Sequence, residues 1–203
     1  ETLQAAVDAV QGSGTIELTS SIALSDQVTI DSGKTIILDM NGETLSIGFS
    51  DSSKNLIVNN GTLTITGDGT FDATEATSYK GFINNYGTLT VENGTFQIAD
   101  KAMTVHLRNQ DGGKAVINGG TFSGGATIVR SFEGSNTTIT GGSFTNSVYP
   151  AVDVNGETLI TGGIFTNTSC SRCDSQNWGY TVRSGVDNDP DAKLTITPSS
   201  EGS

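Results

Sequence analysis

The sequence predicts an all-β fold, a right-handed, single-stranded parallel β-helix built from coils of about 22–26 residues with a short N-terminal capping helix. Three observations predict it. First, five segments align with one another: residues 61–71, 87–96, 114–122, 136–144 and 157–165. Each carries an apolar anchor (Ile65, Val91, Ile117, Ile139, Ile160) in a Thr-rich, β-branched stretch that suits a strand, then a Gly-containing bend, then Phe. Second, those phenylalanines (Phe71, Phe96, Phe122, Phe144, Phe165) recur at intervals of 25, 26, 22 and 21 residues. Such a period has no room for a crossover helix or for a four-stranded propeller blade. Third, the opening segment places Leu3, Ala6, Val7 and Val10 at helical spacing, so one face of a helix within residues 1–11 is apolar.

The other elements follow in order. Ile16 and Leu18 begin the first coil, Val28 and Ile30 supply an intervening strand, and Ile36 and Leu38 begin the next coil. Asn41-Gly42 makes a turn before Leu45 and Ile47. In the repeated region a second strand is expected at residues 55–59, 81–85, 102–107, 126–130, 151–154 and 179–183, so each coil reads strand, bend, strand, bend. Leu194–Ile196 makes one more strand. The whole of residues 1–203 reads as one domain. Its one irregularity is a loop insertion at residues 166–192, because Ile160 and Ile196 lie 36 residues apart where one coil needs about 22.

Composition narrows the function. Hydrophobic residues make up 34% of the chain, which suits the thin core of a solenoid. The formal net charge of −12 argues against nucleic-acid partners, whose phosphates need Lys and Arg, and against docking on an anionic membrane. No run of apolar residues is long enough for a membrane-spanning helix, so no membrane insertion of this segment is expected.

The opening Glu1-Thr-Leu-Gln-Ala-Ala-Val-Asp-Ala-Val10, the segment Gly14-Thr-Ile-Glu-Leu18 and the turn Ser32-Gly-Lys-Thr-Ile-Ile-Leu-Asp-Met-Asn-Gly42 resemble the start of pectate-lyase-like β-helices. The resemblance is closest to the adhesin-like versions on the surfaces of gut bacteria, and the Asn-Gly-Thr-Leu-Thr-Ile and Gly-Gly-Thr-Phe repeats extend it. It implies an extracellular or bacterial cell-surface location. It leaves activity open, since that superfamily is similar across lyases, hydrolases, esterases and non-catalytic adhesins.

A search for chemistry yields no catalytic constellation. Acidic residues are scattered, where a Ca²⁺-dependent lyase would converge several oxygen ligands beside a base. The local cluster Asp187, Asp189 and Asp191 reads as a solvated turn. Paired carboxylates in the motifs of inverting glycosidases are absent. His106 is the only histidine and reads as an exposed strand residue between Val105 and Leu107. No metal and no cofactor are expected. Cys170 and Cys173 pair as a local disulfide in an extracellular setting, with a pair of free or redox-active thiols as the alternative.

Candidate binding residues come from the repeat register. Fourteen residues before Phe122 and Phe144 stand Arg108 and Arg130, so the two occupy equivalent places in adjacent coils. Arg183 ends a similar strand, and Tyr149 and Asp153 belong to the coil between. Such a row could hold an extended polymer by charge-assisted hydrogen bonds and stacking, and solvated charges that discourage edge pairing are the alternative reading. Trp178, in the insertion, offers a further stacking surface or a cover for the last coil. The expectation is a non-catalytic, adhesin-like cell-surface module that binds a polysaccharide or host glycoprotein or serves as a stalk. The alternative is a carbohydrate-active enzyme, a lyase or hydrolase on pectin-like polymers.

Overall fold

The computed structural model describes residues 2–49, 51, 53–75, 81–99, 104–146, 149–167, 182–184 and 193–196. Its strands recur in threes, so that every third strand of the chain stacks on the one before. Among the described residues sheet A has eight strands, from Ser13–Glu17 to Lys193–Ile196, and sheet B has seven, from Ile22–Leu24 to Ile164–Asn167. Sheet C also has seven: Val28–Ile30, Ile57–Asn59, Ile83–Asn85, Val105–Asn109, Thr127–Ser131, Val152–Val154 and Val182–Ser184. All pairings are parallel and in register, which is the β-helix that the repeats predict.

One expectation changes. Each coil has three strands rather than two, because the bend between the anchor and the Phe separates two sheets. Gly94 and Gly120 turn the chain there with φ of 113° and 98°. A Cβ at Gly120 would stand 3.0 Å from the carbonyl oxygen of Gly94 in the coil below. Only glycine fits that conformation and that approach. The Thr-Phe segment after the bend then runs as a four-residue strand of its own, Thr95–Ile98 for example.

The core is a set of columns, one residue per coil. Ile65, Val91, Ile117, Ile139 and Ile160 pair in succession and are all buried. Phe71, Phe96, Phe122, Phe144 and Phe165 stack face to face with ring centroids 4.6, 4.6, 5.0 and 4.7 Å apart. Each such contact adds about 0.5–1.5 kcal/mol beyond area burial. Both columns are those expected from the spacing.

A third column is polar. Asn59, Asn85 and Asn109 end successive sheet C strands with no exposed surface. Asn59 Nδ2 donates to Asn85 Oδ1 at 2.7 Å, Asn85 Nδ2 donates to Asn109 Oδ1 at 2.8 Å, and Asn109 Nδ2 donates to Thr137 Oγ1 at 2.9 Å. Each amide also donates to a sheet A carbonyl, Thr88, Lys114 or Asn136. The ladder therefore ties the C-to-A corner along the stack. One coil further, Ser131 and Thr158 hydrogen-bond at 2.9 Å and prolong it.

The open N-terminal end is covered by helix α1 (Leu3–Ala9), as the amphipathic opening predicts, with Leu3 and Val7 buried. Thr2 caps it by accepting from the Ala5 N–H at 3.1 Å. Gln4 satisfies the unpaired edge of sheet C as a neighbouring strand would: Oε1 accepts from Thr29 N at 2.7 Å and Nε2 donates to Thr29 O at 3.1 Å. Lys34 Nζ donates to the carbonyls of Val7, Asp8 and Val10 at 2.9, 3.1 and 2.8 Å, placing a cation at the negative end of the helix.

A candidate ligand-binding face on sheet C

Sheet C strands are short, with inward residues at either side of one outward position. Along the stack that outward position is Asn84, Arg108, Arg130 and Asp153, each paired with the next through the backbone, and the backbone of Arg183 continues the same register column. Four of the six residues expected to form a binding row are thus in one register column. Two residues further along the chain a second column runs beside it: Tyr86, Gln110, Phe132 and Asn155. The two columns make a strip that interleaves aromatic and basic side chains, one step per coil.

The strip is organised around Phe132. The Arg108 guanidinium lies 5.5 Å and that of Arg130 5.2 Å from the centre of its ring. A shared aromatic face offsets part of the repulsion between two stacked cations. The stem of Arg108 lies over Gly81, where a Cβ would come within 3.3 Å of its Cγ and Cδ. Tyr86, 48% exposed, stands at the open end of the strip; its hydroxyl accepts from Asn84 Nδ2 at 3.2 Å. Gln110 Nε2 in turn donates to Asn84 Oδ1. The polar walls are therefore held by one another, which pre-organises the surface.

Charge balance differs between the two arginines. Arg130 Nε faces Asp153 Oδ2 at 3.4 Å, close enough for attraction but too long for a good hydrogen bond. Arg108 has no carboxylate partner among the described residues. The Nε atoms of both are buried without a hydrogen-bond acceptor. Burial first, and the charge of Arg130 second, lower the pKa of Arg108 below the ordinary guanidinium value, with Tyr86 acting in the opposite direction. The other acids that could have balanced this pair are elsewhere. Asp111 and Glu133, with Glu157, line an adjacent groove of about 660 Å³ beyond the ends of the sheet C strands. Glu157 accepts there from Asn136 Nδ2 at 3.1 Å and pairs with Lys193 at 3.4 Å.

The remaining sequence candidates are less central. Tyr149 is half-buried and held by its N–H on Ala126 O at 3.1 Å, ahead of the sheet C strand and so at the other end from Phe132. Arg183 is placed through its backbone, opposite Asp153. Trp178, Cys170, Cys173 and most of the insertion at residues 166–192 lie outside the described residues.

His106 differs from its sequence reading. It is buried rather than exposed, 2% accessible, as are all of residues 104–107 where the chain enters sheet C. Its ring packs 5.4 Å from Phe82 and 6.0 Å from Phe122. Nε2 lies 3.2 Å from Gly124 O, Nδ1 has no hydrogen-bond partner among the described residues, and burial lowers its pKa to about 4. It is a neutral core residue at ordinary pH.

Sequence reasoning found the arginines but not Tyr86, Phe132, Asn84 or Gln110. The register that aligned Arg108 with Arg130 also aligns Tyr86, Gln110 and Phe132, two residues past the outward position, and that spacing is the signal that would have found them. Comparisons with protein-family models, with curated proteins and with solved structures return no match to this chain.

Proposed function

We propose that this β-helix is a non-catalytic, adhesin-like binding module of a bacterial cell surface, holding a glycan or host glycoprotein along the sheet C strip. The observation that carries the reading is the grouping of Tyr86, Arg108, Arg130 and Phe132 on three consecutive coils, with both arginines held against Phe132. An exposed tyrosine suits the apolar face of a sugar ring, and guanidinium groups suit hydroxyl and anionic oxygens. A linear repeat of sites suits a linear ligand. The extracellular setting rests on the resemblance to pectate-lyase-like surface proteins. The competing reading, an enzyme on pectin-like polymers, requires two carboxylates about a scissile bond or an acidic Ca²⁺ cluster beside a base. On the outward column of this strip the described carboxylate is Asp153, which Arg130 engages.

A screen of glycans and glycoproteins with the purified chain tests the proposal. Wild-type protein is expected to retain at least one class of glycan. Tyr86→Ala and the Arg108→Ala/Arg130→Ala pair are expected to lose it, while Lys114→Ala on sheet A keeps it. Equal retention by all folded variants would move the binding site off this face, and no retention of any glycan by the wild type would leave the stalk reading.

A further inference from the structure

We infer that Arg108 and Arg130 form a subsite for a single carboxylate or sulfate group carried on an otherwise neutral glycan. The inference rests on the binding-face reading and adds the charge of the ligand to it.

The charges of the strip are out of balance. Acidic residues outnumber basic ones by 22 to 10, yet two arginines stack directly in register, with a single nearby carboxylate, Asp153, beyond Arg130. Placing like charges a strand spacing apart and withdrawing them from water is unfavourable unless something offsets it. Phe132 supplies part of the offset and Asp153 neutralises Arg130 from the far side. Arg108 remains, half-buried, with its Nε in a position where water does not reach and no protein acceptor stands. Hydrogen-bond donors that are buried and unused cost free energy. An oxyanion arriving from solvent would not reach the Nε atoms, but it would offset the charge at the part of each guanidinium side chain that remains exposed. Carboxylate and sulfate share the required feature, two or more oxygens with a negative charge matched to a planar fork of N–H donors. Tyr86, beside Arg108 on the preceding coil, would take the ring that carries the anion or its neighbour.

The surroundings set how much charge the ligand carries. Asp153 follows Arg130 in the column, and Asp111, Glu133 and Glu157 line the groove past Phe132. A chain with an anion on every sugar that runs past Arg130 would meet these carboxylates within one or two coils. A sparsely charged glycan would not. The ligand therefore differs from a polyanionic polymer. No divalent ion is needed to bridge it, since the guanidinium groups supply the positive charge.

The test uses the intact chain and defined probes: 3′-sialyllactose, a monosulfated lactose, lactose itself and oligogalacturonate, each titrated by calorimetry with and without EDTA. Arginine Nε–H resonances of the same protein are followed during titration with sodium acetate and sodium sulfate. The singly charged sugars are expected to bind about tenfold or more tightly than lactose and more tightly than oligogalacturonate, without dependence on EDTA. Arg108→Gln is expected to erase the preference, Lys114→Gln to retain it, and the Arg108 Nε–H signal to shift saturably with either anion. Saturable shifts without binding of any sugar would keep the subsite and defeat the glycan reading. Lactose binding equal to that of the charged sugars, unchanged by Arg108→Gln, would keep the glycan reading and overturn the subsite. Strongest binding by oligogalacturonate, or no saturable response to any anion, would also overturn it.

Discussion

Replacing Asn85 by alanine tests what holds the corner of the solenoid. Asn85 is fully buried. Its amide accepts from Asn59 Nδ2 at 2.7 Å and donates to Asn109 Oδ1 at 2.8 Å, to Lys114 O at 3.1 Å and to Gly87 O at 3.2 Å. Alanine removes all of these at once. Asn59 Nδ2 keeps a second acceptor, Thr88 O at 2.9 Å, whereas Asn109 Oδ1 loses the donor that the ladder provides. One orphaned buried acceptor costs about 1–3 kcal/mol, and the lost hydrogen bonds and small void add about 1–2 kcal/mol. The expected loss is therefore about 2–4 kcal/mol, measured by urea unfolding followed by circular dichroism. Asn118→Ala, on the exposed face with a bond to Glu92, should change stability by less than about 0.5 kcal/mol. Asn85→Ala combined with Asn109→Ala should cost less than the sum of the two, since they share one bond. Because a solenoid need not unfold in one step, hydrogen exchange at the coils flanking residue 85 should report the same loss locally. An Asn85→Ala protein as stable as the parent, or a strictly additive pair, would refute the view that the ladder acts as a connected structure.

Two further outcomes follow from buried and capping groups. His106 has its folded pKa lowered to about 4 from an ordinary 6.5, so the unfolded chain binds the proton more readily. Stability is then full above about pH 6.5 and falls toward pH 4 by on the order of 3 kcal/mol. Thermal melts at pH 7 and pH 4.5 should differ clearly in the parent and much less in His106→Gln; an unchanged difference would assign the acid sensitivity elsewhere. Lys34→Met removes the cation that binds three carbonyls at the end of helix α1, and Gln4→Ala uncovers the sheet C edge at Thr29. Each should cost about 1 kcal/mol and raise amide exchange in α1 and at Thr29, with coils beyond residue 60 unaffected.

The fold was legible because a solenoid writes its core into the sequence as a period. The Ile and Phe columns needed only their spacing to be seen, and α1 needed only its apolar face. The third strand of each coil was hidden because the Phe strands are three or four residues long and start one residue past a glycine, so they read as the tail of the preceding strand. His106 was misplaced by the rule of alternation, which fails at the start of the strand Val105–Asn109, where residues 104–107 are all buried. The asparagine ladder was missed for a different reason. Asn59, Asn85 and Asn109 recur at coil spacing, but asparagine before a glycine-containing turn also suits the turn itself, and composition does not separate the two roles. In the candidate site, charge drew notice to Arg108 and Arg130. The aromatic partners that position them lie just beyond the strands, where no repeated residue type marks the place.

On the proposed function, the sheet C strip binds its ligand without turning it over. The most direct measurement incubates the glycan that the chain retains, with and without Ca²⁺, and follows saturation by calorimetry and the mass of the glycan by mass spectrometry in the same sample. Saturable binding that Arg108→Ala/Arg130→Ala weakens is expected, with the glycan recovered at its original mass. Shortened or unsaturated products that disappear on changing a single aspartate or arginine would contradict it.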